Sequence, residues 1–126
     1  MLHTSFKSKW SLVGLAVLSF LMLASNAHAM SIRELRGLEK SDKSHGENYV
    51  NYYLVGTMEG VLEAQAQSAR TGVLVAVCLE GRKLEPSMAK SLYNTELKRN
   101  QGVYEADMPV QLVMFNALST VYPCSH

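Results

Sequence analysis

The stretch from Asp107 to Cys124, DMPVQLVMFNALSTVYPC, constrains this chain more than any other. Val110, Val113, Met114, Ala117, Leu118 and Val121 recur at helical spacing and form one broad apolar face, so the segment reads as a buried helix. Pro109 suits a first turn, where its missing N–H is no loss, and Asp107 is placed to cap the free amides. Pro123 cannot continue the helix, so the chain must leave it in extended form just before Cys124. The only other cysteine is Cys78, in the apolar run VLVAVCL, so any cysteine partner of Cys124 comes from there.

Residues 1–29 read as an export signal. Lys7 and Lys9 give a basic start, Trp10 to Leu23 is apolar, and Ala27-His28-Ala29 places small residues where a signal peptidase needs them. The apolar run is about 14 residues, short of the roughly 20 that span a bilayer, so cleavage after Ala29 is expected and no stable membrane anchor. No cysteine follows the run to carry a lipid. The mature chain would be residues 30–126, one small domain in the periplasm. Taking Lys7 and Lys9 from the 12 Lys and Arg leaves 10 against 11 Asp and Glu, a net charge of −1. Without a basic stripe or a stacking platform, nucleic acid is not an expected partner.

Two cysteines in an exported chain most simply form one disulfide, Cys78 to Cys124. The alternatives are a reactive thiol, or a metal site built from Cys124 and His126. Closing a loop of this length would contribute roughly 4 kcal/mol in the chain-entropy view, a large share for a domain this small.

Three further helices are expected. Ser31-Ile32-Arg33-Glu34 is a capping-box pattern, with Ile32, Leu35 and Leu38 at helical spacing over Ser31 to Glu39. SDKSHG, from Ser41 to Gly46, is a loop that exposes His45. The longest helix runs from about Glu47 to Ala69, with Val50, Leu54, Thr57, Met58, Val61 and Gln65 as its inner stripe and Gly72 as its stop. Gly56 and Gly60 share one face of it and would admit another helix, or the same helix of a second subunit, at close range. Val73 to Leu79 reads as a buried extended segment that carries Cys78 into the core. Pro86 starts a helix over Glu85 to Arg99, with Met88, Ala89, Leu92, Tyr93 and Leu97 inward, and Asn100-Gln101-Gly102 ends it.

Catalytic constellations are absent from this pattern. The cysteines are expected to bond each other, and a mature chain keeps only His45 and His126, so neither a Ser-His-Asp nor a Cys-His arrangement is expected. Glu59 and Glu63, one turn apart, read as a solvated helix face. No phosphate loop, nucleotide fingerprint or metal-ligand cluster occurs, so neither an enzyme nor a cofactor is expected. The residues describe an all-α, four-helix, disulfide-tied exported domain that acts by binding.

Tyr53-Leu54-Val55-Gly56 with Gly60, the cysteine of Val75-Ala76-Val77-Cys78-Leu79, and the closing Ala117-Leu118-Ser119-Thr120-Val121-Tyr122-Pro123-Cys124 together resemble the Rap/Tai family of periplasmic immunity proteins. Members protect bacteria against peptidoglycan amidases delivered by type VI secretion. The resemblance spans roughly Asn48 to Cys124 and implies a helical domain, often a homodimer, that blocks the substrate cleft of a Cys-His amidase effector. It also implies that Cys78 and Cys124 are the family disulfide. Glu80 departs from the pattern, since the family often has proline two residues after its first cysteine.

The contact surface is expected in the loop Asn100, Gln101, Gly102, Val103, Tyr104 and Glu105, hinged at glycine and carrying Tyr104 as an aromatic anchor. The opposing expectation is that Tyr104 packs back on the core beneath the loop. A different binding class, the small acid-stress periplasmic chaperone, shares the size, the helices and the single disulfide. It would require carboxylates whose protonation loosens the fold.

Overall fold

The computed structural model describes residues 28–125, so nearly all of the expected signal peptide, and His126, lie outside the described residues. Four helices follow in order: α1 Ile32–Ser41, α2 Gly46–Arg70, α3 Met88–Arg99 and α4 Val110–Val121. Among the described residues extended pairing is confined to two isolated bridges, Ser31 with Pro109 and Val77 with Pro123. This is the small all-α, four-helix domain that the periodicity predicts.

The axis of the fold is α4, packed on both α2 and α3, while α1 lies against α2. Val110, Val113, Met114 and Leu118 are wholly shielded from solvent, and Ala117 nearly so. Leu54 and Met58 of α2 and Ala89, Leu92 and Tyr93 of α3 complete the core with Ile32 and Leu35 of α1. A fully buried side chain of this size contributes about 1.5–3 kcal/mol relative to exposure, so the α4 face is the largest single source of stability.

Both ends of α4 are anchored, the far end by the expected disulfide and the near end not as the sequence suggests. Pro109 occupies the cap position rather than the first turn, with extended backbone, and no side chain caps the helix. Asp107 instead faces Arg33 across 2.9 Å, and the Val110 amide is satisfied by the Met30 carbonyl at 2.9 Å. At the far end Val121 is 40 % exposed, and Tyr122 takes its place in the core. Cys78 and Cys124 are joined, Cα to Cα 4.8 Å, and the Cys78 amide donates to the Tyr122 carbonyl at 2.9 Å. The thiol and metal alternatives are thereby set aside for Cys124, since a half-cystine offers no thiolate.

Ser31 forms the capping box with Glu34, its amide donating to the carboxylate at 2.7 Å, and α1 extends to Ser41 rather than Glu39. Asp42 then turns the chain by accepting from the amides of Ser44 and His45. His45 is exposed as expected. Gly46, assigned to the loop on sequence, is the first residue of α2 and is buried. A Cβ there would collide with the Glu39 carbonyl oxygen and stand 2.9 Å from that of Leu38, so the α1–α2 crossing requires glycine.

Two further expectations are corrected. The Val73 to Leu79 run is extended but only Val77 is buried; Val73 and Leu74 are 58 % and 86 % exposed. Gln65 receives it instead of a core, accepting from the amides of Ala76 at 2.9 Å and Val77 at 3.3 Å. The third helix begins at Met88, not Glu85, because Pro86 and Ser87 form a turn, and the carbonyls of Glu85 and Pro86 accept the amides of Met88 and Ala89.

Gly46→Ala is expected to lower unfolding free energy by about 1–3 kcal/mol in urea titration, since only backbone atoms stand in the way. Gly37→Ala, where a Cβ meets nothing within 4 Å, should match or exceed the unsubstituted protein.

Candidate functional site

The loop between α3 and α4 is fixed from below by a buried carboxylate. Glu96 is 3 % exposed, on the inner face of α3 one turn beyond Leu92. Its Oε1 accepts from the Tyr104 hydroxyl at 2.6 Å and from Asn100 Nδ2 at 2.8 Å, and Arg99 reaches Oε2 at 3.4 Å. Asn116 of α4 donates to the Tyr104 oxygen at 2.9 Å, so the loop is tied to both helices it joins. Burial, then the bond to Glu96, hold the Tyr104 phenol above its usual value and keep it a donor at neutral pH.

Tyr104 therefore takes the second of the two expected arrangements, packed against the core beneath the loop. Gln101, Gly102, Val103 and Glu105 face outward, with Val103 63 % exposed. Gly102 has φ +84°, where any side chain would be strained. The Val103 amide donates to Asn100 and the Met108 amide to Glu105, closing two turns. The far side of the segment is engaged as well: the carbonyls of Ala106 and Met108 accept from Arg33 and Ile32 at 2.8 and 3.0 Å, satisfying amides that α1 would otherwise leave free.

A second surface runs along α2. Tyr52, Tyr53, Gly56, Thr57, Gly60, Val61, Ala64 and Gln111 line an open groove of about 560 Å³. Among the described residues no atom of another element lies within 4 Å of where a Cβ of Gly56 or Gly60 would stand, so none of the four described helices uses their close-packing surface. Tyr52 is 77 % exposed at the rim, and Gln111 crosses from α4 to donate to the Tyr53 oxygen at 2.8 Å. Glu59 and Glu63 are exposed, and Glu63 pairs with Arg70.

Glu80 and Gly81 form a left-handed turn, φ +52° and +81°, closed by the Arg82 amide on the Leu79 carbonyl. Proline, fixed near φ −65°, cannot occupy position 80 in this backbone.

The sequence reading missed Glu96 and Gln111. Glu96 could have been found: it falls four residues after Leu92 and three after Tyr93, on the apolar stripe, and a carboxylate there must have partners. Gln111 lies between inward and outward faces and gives no such signal. Among the described residues no three His, Cys, Asp or Glu side chains could hold a metal ion, and no helix is long and apolar enough to cross a membrane. No family model, curated protein or solved structure matches the chain.

Tyr104→Phe leaves the buried Glu96 oxygen one donor short and is expected to cost about 1–3 kcal/mol of unfolding free energy. Val103→Ser in the same loop should stay within about 0.5 kcal/mol, as surface changes do. Equal effects of the two would contradict the arrangement described.

Proposed function

We propose that this chain is a periplasmic immunity protein that binds a type VI secretion peptidoglycan amidase effector and occludes its active-site cleft. The observation that carries the reading is the loop from Asn100 to Glu105, held rigid by Glu96 with Val103 turned outward. Occlusion requires a surface already in its bound shape, because ordering a loop on contact subtracts from affinity. The likeness of the Cys78 and Tyr122-Pro123-Cys124 segments to the immunity family supplies the class of partner. The disulfide fits the oxidising compartment in which such a partner acts. In this reading the homodimer that the resemblance implies would use the α2 groove at Gly56 and Gly60.

The test is inhibition of peptidoglycan cleavage by a panel of such amidases, with the oxidised protein titrated in. Inhibition by the protein, weakened about tenfold or more by Val103→Asp at unchanged melting temperature, is expected. Failure against the whole panel removes the immunity reading, whereas inhibition untouched by Val103→Asp removes only the loop.

A second reading, the acid-stress chaperone, is favoured by one feature. Four carboxylates around α1 are held below their usual range: Glu34 by Ser31, Asp42 by Ser44, Glu47 by Lys90 and Asp107 by Arg33. A depressed folded-state pKa stabilises above the unfolded value, and that stabilisation is lost as pH falls through the folded value. Melting temperature is therefore expected to fall below about pH 4, and less steeply in Asp107→Asn. A client protein still aggregating at about pH 3 in its presence would exclude the chaperone.

A further inference from the structure

The segment from Gly72 to Ala76 crosses the surface in extended form between the end of α2 and Cys78. Leu74 is 86 % exposed, Val73 58 %, and Ala76 is exposed as well. Among the described residues the amides of Leu74 and Val75 donate to nothing. The segment is held by the Val73 amide on the Ser68 carbonyl at 3.0 Å, by the Ala76 and Val77 amides on Gln65, and by the buried Val77. Endopeptidases take their substrate as an extended strand, with backbone groups free to pair and side chains free to enter pockets. The other exposed large apolar side chains fail that requirement. Tyr49, Tyr52, Leu112 and Val121 lie within helices. Val103 follows Gly102 at φ +84°, and its amide is engaged by the Asn100 carbonyl.

We propose that this segment is a processing site, cut between Leu74 and Val75 by an endopeptidase whose primary pocket takes a branched apolar side chain. Leu74, the more exposed of the pair with Val73, enters such a pocket without leaving any packing behind. One water is consumed: the C–N bond between the two residues breaks, Leu74 keeps a carboxylate and Val75 gains an ammonium group. The cut divides the chain into a piece carrying α1 and α2 and a piece carrying α3 and α4. Cys78 and Cys124 both lie in the second piece, so no covalent tie spans the cut. Only packing, chiefly Val50, Leu54 and Met58 of α2 within the shared core, then holds the two together. A single hydrolysis thus turns one chain into a dissociable pair, with the disulfide left intact.

The oxidised protein is digested with chymotrypsin, whose pocket takes leucine as well as aromatic side chains, and followed by intact mass and by denaturing gels with and without reductant. Within residues 30–126 the first cut is expected after Leu74, giving two pieces that separate without reductant. Leu74→Asp should slow that cut about tenfold or more at unchanged melting temperature, as a change at an exposed side chain. Gln65→Ala removes the acceptor of two amides and should speed it about tenfold or more, since cutting follows the population of the opened segment. A first cut between residues 78 and 124 leaves pieces joined until reductant is added, and one after Tyr49 or Tyr52 gives a shorter first piece; either overturns the site. So does cutting only above the melting temperature, or a rate that neither substitution moves.

Discussion

Helix α4 can bury Val110, Val113, Met114, Ala117 and Leu118 only if both of its ends are held, and the rest of the structure follows from that requirement. The Met30 carbonyl holds the first amide and the bond from Cys124 to Cys78 holds the exit. Each anchor draws in a distant part of the chain. The first brings the start of α1 alongside residues 106–110, and the second brings the segment after α2 across the end of α4. A domain of this size has little core to spare, so such ties take the place of the further layers that a larger protein would use.

The same economy shapes the outward surfaces. The connection between α3 and α4 serves at once as cap for the first amides of α1 and as cover for the buried Glu96. The same hydrogen bonds turn the outer side of the segment, Gln101 to Val103, toward solvent. The α2 groove is the opposite case: an open strip of small residues and tyrosines that the described residues leave uncovered.

Helix number, the capping box at Ser31 and the inner face of α4 apart from Val121 were legible because periodicity and capping act over a few residues, and the pairing of the two cysteines was legible from their number in a chain read as exported. What was not legible was set by long-range contacts. Asp107 looks like a helix cap until Arg33 is brought beside it, and Gly46 looks like a loop residue until the Glu39 carbonyl is known to lie against it. Val73 and Leu74 look buried because they are apolar, but none of the described elements covers them. In the connection between α3 and α4, the turn at Gly102 was legible from its glycine, while the inward partner of Tyr104, Glu96, lay in a neighbouring helix.

The rigidity of that loop is the physical premise of an occluding surface, and hydrogen exchange at the amides of Asn100, Val103 and Met108 tests it most directly. These amides donate to the backbone carbonyls of Glu96, Asn100 and Glu105, within the segment that the Glu96 carboxylate ties down through Asn100 Nδ2 and the Tyr104 hydroxyl. Protection in the oxidised protein approaching that of the α4 amides, and lost in Glu96→Gln, is the expected result. Exchange as fast as that of an exposed chain end, already in the unsubstituted protein, would contradict a pre-formed surface.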